Sequence, residues 1–332
     1  MVSSLKLSTA EPSRSGGRAA TDRPREQSRA RYPDETGFVE RDGVRVFWER
    51  YGDGSPTILL MPTWSVIHSR HWKLQIPTLA RWFRVVTFDG RGNGQSDRPQ
   101  VSAAYAGTEF ASDAAAVLDA TGTDRAVVCG LSMGAGYAAR LAIEHPARVL
   151  GVVMFGESIP YEAESDDAGE ADPDPEFENP GRTDEWFRYN AHFWRRDWRG
   201  FAEWFAGDRI FSELHSTKPV EDTIGWFLDT DPGTMIVAER EPYMRLPAEW
   251  EPGPPTAGRA ARYLRQIRCP LLMVHGTEDR VTSIAHARRL GAWLGARMVE
   301  VDGGGHSQVG RDPVLANLLI RDFVHGLQDT RP

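Results

Sequence analysis

The sequence predicts an α/β protein: a mostly parallel central sheet flanked by helices, with an inserted, mainly helical segment. Two observations carry this. Short apolar runs recur at 57–61, 84–88, 126–129, 150–155, 271–274 and 298–301, and most are continuous rather than alternating. Continuous runs mark strands covered on both faces, as in a parallel sheet. Helix-like segments lie between them at 70–82, 108–121, 133–144, 284–294 and 313–327, which is the element order of α/β proteins.

Taken in order, residues 1–35 carry seven Lys/Arg and five Asp/Glu among Ser, Gly and Pro. No apolar stretch there would serve a secretory signal, and the segment reads as a disordered or loosely attached tail. Residues 38–41 and 44–48 flank Asp42-Gly43, a two-residue turn that closes a β-hairpin, so the sheet starts antiparallel. The strand and helix runs above follow, and the rhythm breaks between Glu157 and Arg268. This insertion opens with ten acids and no Lys or Arg, a solvated loop, and continues with Trp186, Tyr189, Trp194, Phe201, Phe205, Trp226 and other aromatics at mostly helical spacing. Ordinary helical core is the simple reading of such a stripe; a cap whose inner face lines an apolar pocket is the sharper one. The expected division is a core of 36–156 and 269–332 with a cap insertion at 157–268.

At 332 residues, 40% hydrophobic and 26% charged, with 32 Gly and 22 Pro, the chain is not wholly disordered, collagenous or a coiled coil. A net charge of −8, concentrated in the acidic run, lacks the basic footprint of a nucleic-acid binder. No run approaches the roughly 18 apolar residues of a membrane span. The two cysteines, Cys129 and Cys269, sit in apolar runs, as reduced thiols of a cytoplasmic protein do. A small-molecule substrate is the expected partner, and the oligomeric state is open.

The strongest chemical motif is Gly130-Leu131-Ser132-Met133-Gly134, a G-x-S-x-G between the 126–129 strand and a helix rich in small residues. A serine on so sharp a strand-to-helix turn is lifted above the sheet edge, and the helix N-terminus beneath it favours developing negative charge. A serine hydroxyl needs a base, and the base needs an orienting acid. Asp279 follows the 271–274 strand in His275-Gly276-Thr277-Glu278-Asp279. His306 follows the last strand in Asp302-Gly303-Gly304-Gly305-His306, a glycine loop that lets one imidazole reach across. Glu278, one residue away, competes with Asp279, and Glu157, just past the 150–155 strand, is the main alternative acid. No close-spaced His/Cys set has metal-ligand spacing.

In these motifs the chain resembles the α/β-hydrolase fold superfamily, the esterase- and lipase-like members with a serine nucleophile and a helical cap. The resemblance covers nearly everything from Gly37 to Leu327 apart from the insertion. It implies Ser132 as nucleophile, His306 as general base and acid, and Asp279 fixing the His306 tautomer. It also implies an oxyanion hole from the Met133 N–H and a second N–H after the 57–61 strand. Relatives carry His-Gly there, whereas this chain reads Met61-Pro62-Thr63-Trp64-Ser65, which places Trp64 at the donor position. Thr63 does not reach positive φ as cheaply as Gly, so either the loop differs or the Thr63 hydroxyl serves the oxyanion. His68, Arg70, His71 and Trp72 are expected mostly on a solvent-facing helix, with reach to the pocket mouth as the alternative.

A second matching segment, Asp89-Gly90-Arg91-Gly92-Asn93-Gly94-Gln95-Ser96, lacks the G-K-[ST] of a phosphate loop and reads as a tight loop bracing the nucleophile turn. The expected activity is hydrolysis of a carboxylic ester, thioester or lactone with an apolar portion, without cofactor or metal. C–C hydrolase, acyltransferase and perhydrolase chemistry use the same residues, and a non-catalytic ligand sensor is the alternative of a different class.

Overall fold

The computed structural model describes residues 29–160, 185–213, 217–241, 244 and 263–329. Most of the expected tail, the acidic run from 162 and the segment around Trp250 lie outside the described residues. Among those described, the strands are β1 (Glu35–Arg41), β2 (Val44–Tyr51), β3 (Thr57–Leu60), β4 (Arg84–Phe88), β5 (Ala126–Leu131), β6 (Val149–Phe155), β7 (Leu271–Gly276) and β8 (Arg297–Val301). They form one sheet in the order β1-β2-β4-β3-β5-β6-β7-β8. The β1–β2 and β2–β4 pairings are antiparallel and every other pairing is parallel. At the hairpin, Asp42 and Gly43 both take positive φ, 52° and 76°, the geometry that Asp-Gly favours.

Except for the edge strand β8, whose residues are exposed or half-buried, the continuous apolar runs became strands buried on both faces, because successive side chains point opposite ways. In β5, Ala126 and Val128 join one core layer while Val127 and Cys129 join the other; in β6, Val152 and Met154 alternate with Val153 and Phe155 in the same way. The first layer packs under α2 (Gly107–Ala120) and α3 (Met133–Glu144). The second packs under α1 (Ile76–Leu79) and the C-terminal helix, which begins at Pro313. Part of the expected tail belongs to the fold: Arg29 pairs with buried Glu49, and β1 begins at Glu35.

The 70–82 segment is not one helix. A 3₁₀ turn, Ser69–Trp72, is followed by the single turn of α1, because Pro77 is tolerated only near a helix start. His68, Arg70, His71 and Trp72 are all buried rather than solvent-facing. The Trp72 indole donates to Met61 O at 2.8 Å, and the Arg70 guanidinium lies 3.6 Å from Asp89.

The described part of the insertion holds α4 (Ala191–Arg196), α5 (Trp198–Trp204), a wider i→i+5 turn over Phe205–Ile210, α6 (Lys218–Leu228) and α7 (Pro232–Glu239). Side-chain caps start three of these helices: Asn190 accepts from Phe193 N, Asp197 from Gly200 N and Asp231 from Thr234 N. Trp194, Phe201, Phe227 and Met235 are completely buried together with Val66 of the loop after β3. These rings form a core, while Trp186, Tyr189, Phe205 and Trp226 also line a cavity. No described helix is long and apolar enough to cross a membrane.

Candidate active site

Five parallel strands that are neighbours in the sheet, β3, β5, β6, β7 and β8, bring Trp64, Ser132, Glu157, Asp279 and His306 to their carboxyl ends. Ligands of open α/β sheets bind outside this edge. Ser132 stands between β5 and α3 at φ 55°, ψ −123°, a left-handed conformation costly for a residue with a side chain. The turn is held by Ser132 N–H donating to Phe155 O (3.0 Å) and Ala135 N–H donating to Ser132 O (2.9 Å). Both motif glycines are sterically required. A Cβ on Gly130 would sit 2.1 Å from Gly134 O, and one on Gly134 would sit 2.4 Å from Pro62 O.

His306 Nδ1 lies 2.8 Å from Asp279 Oδ2. Asp279 is buried, and its Oδ1 accepts the N–H groups of Val281 (2.7 Å) and Thr282 (3.0 Å). A second imidazole, His275, brings Nε2 to 3.1 Å from Asp279 Oδ2 and 2.9 Å from Thr282 O. Burial alone would raise the Asp279 pKa, but His306 and His275 hold the carboxyl well below the usual carboxylate range. It is therefore ionised at neutral pH, an acceptor that fixes the proton of His306 on Nδ1 and leaves Nε2 as the basic nitrogen. Ser132 Oγ meets Ser158 Oγ at 3.5 Å rather than a nitrogen of His306. Hydrogen bonds of this kind often tighten only with substrate present.

Ser132, Met133 and His306 line one cavity of about 720 Å³ with Trp186, Tyr189 and Phe205 of the insertion. That is the size of a small-molecule pocket. Among the described residues, the backbone N–H groups of two residues lining this cavity with Ser132, Met133 and Trp64, have no acceptor. Met133 opens α3, and the carbonyl four residues back, Cys129 O, already accepts from Met61 N–H at 2.8 Å. The Trp64 N–H has no acceptor among the described residues, although Trp64 is only 7% exposed. Thr63 does not take positive φ, and its hydroxyl donates to Leu131 O at 2.8 Å, which anchors the loop to the Ser132 turn and engages the proton that an oxyanion would need.

The Asp89–Asp97 loop braces this region one step removed from Ser132. Asp89 Oδ1 accepts from Ser69 N–H and Oγ, and the Asn93 amide donates to Ser65 O at 3.2 Å. It therefore steadies the Pro62–Ser65 loop, and Pro62 in turn meets Gly134.

The family model described as alpha/beta hydrolase fold matches residues 56–312. The chain belongs to this family. A 2-hydroxymuconate semialdehyde hydrolase of Pseudomonas sp. (strain CF600) is 28% identical over 85% of this chain and 91% of its own length. A dihydrolipoyllysine-residue acetyltransferase component of the acetoin cleaving system, from Cupriavidus necator, is 37% identical over 37% of this chain. The chain spans only 33% of that relative's length. Among solved structures, that of Est816, described as an N-acyl homoserine lactone degrading enzyme, superimposes with TM-score 0.65 at 26% identity, covering 86% of this chain and all of that one.

Within this alpha/beta hydrolase, Glu157 is not the carboxyl bonded to His306. It is buried, its Oε2 accepts from Ile159 N–H at 2.9 Å, and among the described residues its Oε1 has no partner. Burial pushes its pKa up, opposed by the Ile159 N–H and by nearby His286 and His275, with Asp279 adding to the rise. A carboxyl whose folded pKa is raised binds its proton more tightly folded than unfolded, so it removes stability as pH climbs above the unfolded value of about 4.3. Glu157→Gln abolishes that titration. Its melting temperature relative to wild type is expected to rise progressively between pH 5 and pH 8. A difference that stays flat across that range in thermal melts contradicts the argument.

Of two further pocket residues, His71 was weighed in the sequence only as the alternative to a solvent-facing position, and Glu239 escaped it. His71 lines the cavity as a neutral ring: its Nδ1 bonds His68 O at 3.1 Å, and burial pushes its pKa down to about 3. Glu239, the last residue of α7, also lines the cavity, and its oxygens accept from the Trp64 indole and the Tyr189 hydroxyl.

Proposed function

We propose that this protein is a serine hydrolase that cleaves a carboxylic ester, thioester or lactone with an apolar portion through an acyl-enzyme on Ser132. In this reading His306 Nε2 takes the Ser132 proton as Oγ attacks the carbonyl carbon. The Met133 and Trp64 N–H groups hold the resulting oxyanion, and His306 returns the proton to the departing oxygen or sulfur. Water, deprotonated by the same nitrogen, then attacks the acyl-enzyme, releasing the acid and restoring Ser132. Asp279 keeps the imidazole in the useful tautomer throughout and stabilises its charged form.

The observation that carries this reading is the 2.8 Å bond of His306 Nδ1 to an ionised Asp279, on an imidazole that shares a cavity wall with a strained Ser132. The aromatic insertion acts as the cap over that cavity and supplies the apolar surface for the acyl chain. Similarity to a protein described as degrading N-acyl homoserine lactones supports the inclusion of lactones among the candidate substrates.

The test is a fluorophosphonate adduct read by intact mass, with hydrolysis of p-nitrophenyl esters of increasing chain length alongside. The expected result is one adduct at Ser132 and a chain-length optimum set by the cavity. A folded protein that takes no label and turns over no ester rejects the reading in favour of a ligand sensor.

A further inference from the structure

We infer that Glu239 is a positioning residue for the oxyanion hole, a carboxyl from the insertion that fixes the loop whose Trp64 N–H receives the developing charge. The inference rests on the serine-hydrolase reading above. Glu239 and Trp64 are 175 positions apart in the chain, yet the indole Nε1–H donates to Glu239 Oε1 at 2.5 Å. Tyr189 OH donates to Oε2 at 2.7 Å, and the Trp64 and Tyr189 rings stack 5.9 Å apart at 5°.

The loop's problem is the missing glycine. A loop built to present an N–H must be held rigidly, because an oxyanion donor out of place by a fraction of an ångström is weak. From below, the Thr63 hydroxyl ties the loop to Leu131 O; from the side, the Asn93 amide holds Ser65 O. Neither bond restrains the Trp64 side chain. Glu239 does so from above, with Phe205 and Phe227 packed against the same indole at 5.0 and 5.6 Å between centroids.

A carboxyl is a costly group for a merely apolar wall. Among the described residues no cation pairs with Glu239, and burial pushes its pKa up. A buried carboxyl held only by neutral donors carries a cost to the folded state, which a role in the site would explain. Here they join three elements: the loop after β3, the turn before α4 and the end of α7. The insertion therefore contributes to the rate of the reaction as well as to the shape of the pocket.

The test is a double-mutant cycle on ester hydrolysis by the full chain, with melts to confirm folding. Glu239→Ala and Trp64→Phe are each expected to lower kcat about 10- to 100-fold, less than loss of a whole oxyanion donor, with KM changed less than about threefold. The double variant is expected to match either single one, because both remove the same bond. Glu239→Gln, whose amide oxygen accepts from the indole and whose NH₂ can donate to Tyr189, is expected to recover most of the lost kcat. Independent, multiplying losses overturn the inference, as does an effect on KM alone, which makes Glu239 a substrate contact. Should Glu239→Ala fail to fold, the Trp64→Phe and Glu239→Gln pair still decides: a Trp64→Phe with wild-type kcat refutes the clamp. Wild type that labels at Ser132 while Glu239→Ala keeps full kcat sinks this inference alone. Wild type that neither labels nor turns over sinks the hydrolase reading with it.

Discussion

Ser132→Ala is expected to lower kcat for an activated ester by about 10⁴- to 10⁶-fold while leaving the fold intact. The bonds that hold the turn are backbone bonds, from Ser132 N–H to Phe155 O and from Ala135 N–H to Ser132 O, and alanine keeps both. Among the described residues the Ser132 hydroxyl meets only Ser158 Oγ, at 3.5 Å, so its removal strands no buried group at short range. Alanine bears the same left-handed backbone strain as serine, since both carry a Cβ. A melting temperature within a degree or two of wild type together with collapsed turnover would therefore place the loss in the chemistry. Steady-state rates on p-nitrophenyl esters and a thermal melt of the same preparation decide it. Turnover retained at more than about 1% would move the nucleophile elsewhere, and the neighbouring Ser158 hydroxyl would be the first to replace.

Much of this was legible in the sequence, for reasons that separate the residues that were read from those that were missed. The strands were legible because a parallel sheet covered on both faces leaves no polar position to confuse the pattern, as β5 and β6 show. Ser132 was legible because its turn excludes a Cβ at Gly130 and Gly134, which writes two glycines into the chain at fixed spacing. Asp279 was narrowed to a choice among three acids; geometry separated them, since only its carboxylate is bonded to His306. The 70–82 helix was misread because spacing outweighed Pro77. The burial of His68 and Arg70 was misread because their polar partners, Asp229 and Asp89, are contributed by distant segments. Glu239 had the least sequence signal. A lone acid after the apolar run Met235–Ala238 reads as an ordinary helix end, and the pairing that gives it meaning crosses 175 positions. Its one local clue was an acid directly continuing that apolar stretch.

Asp279→Asn is expected to lower kcat about 10⁴-fold, whereas Glu157→Gln stays within about threefold of wild type. The aspartate accepts three hydrogen bonds and lies 3.1 Å from His275 Nε2, and the substitution separates these contacts by side. An asparagine keeps its oxygen toward Val281 and Thr282, where two backbone N–H groups demand an acceptor, and so must turn its NH₂ toward His306 and His275. Facing a donor, His306 Nδ1 gives up its proton, which moves to Nε2, the nitrogen that should accept from Ser132; the base is then already protonated on the wrong side. No such inversion follows at Glu157, whose carboxyl bonds Ile159 N–H rather than an imidazole. The two variants also separate in acid. Because the folded pKa of Asp279 is held low, its ionised form adds stability that is fully present above the unfolded value of about 3.9 and is lost as pH falls below it. Asp279→Asn is therefore expected to flatten the stability profile below about pH 4, alongside its loss of kcat. Side-by-side kcat and acid melts check both halves. The reverse ranking, with Glu157→Gln inactive and Asp279→Asn active, would pass the role of the orienting acid to the carboxyl after β6.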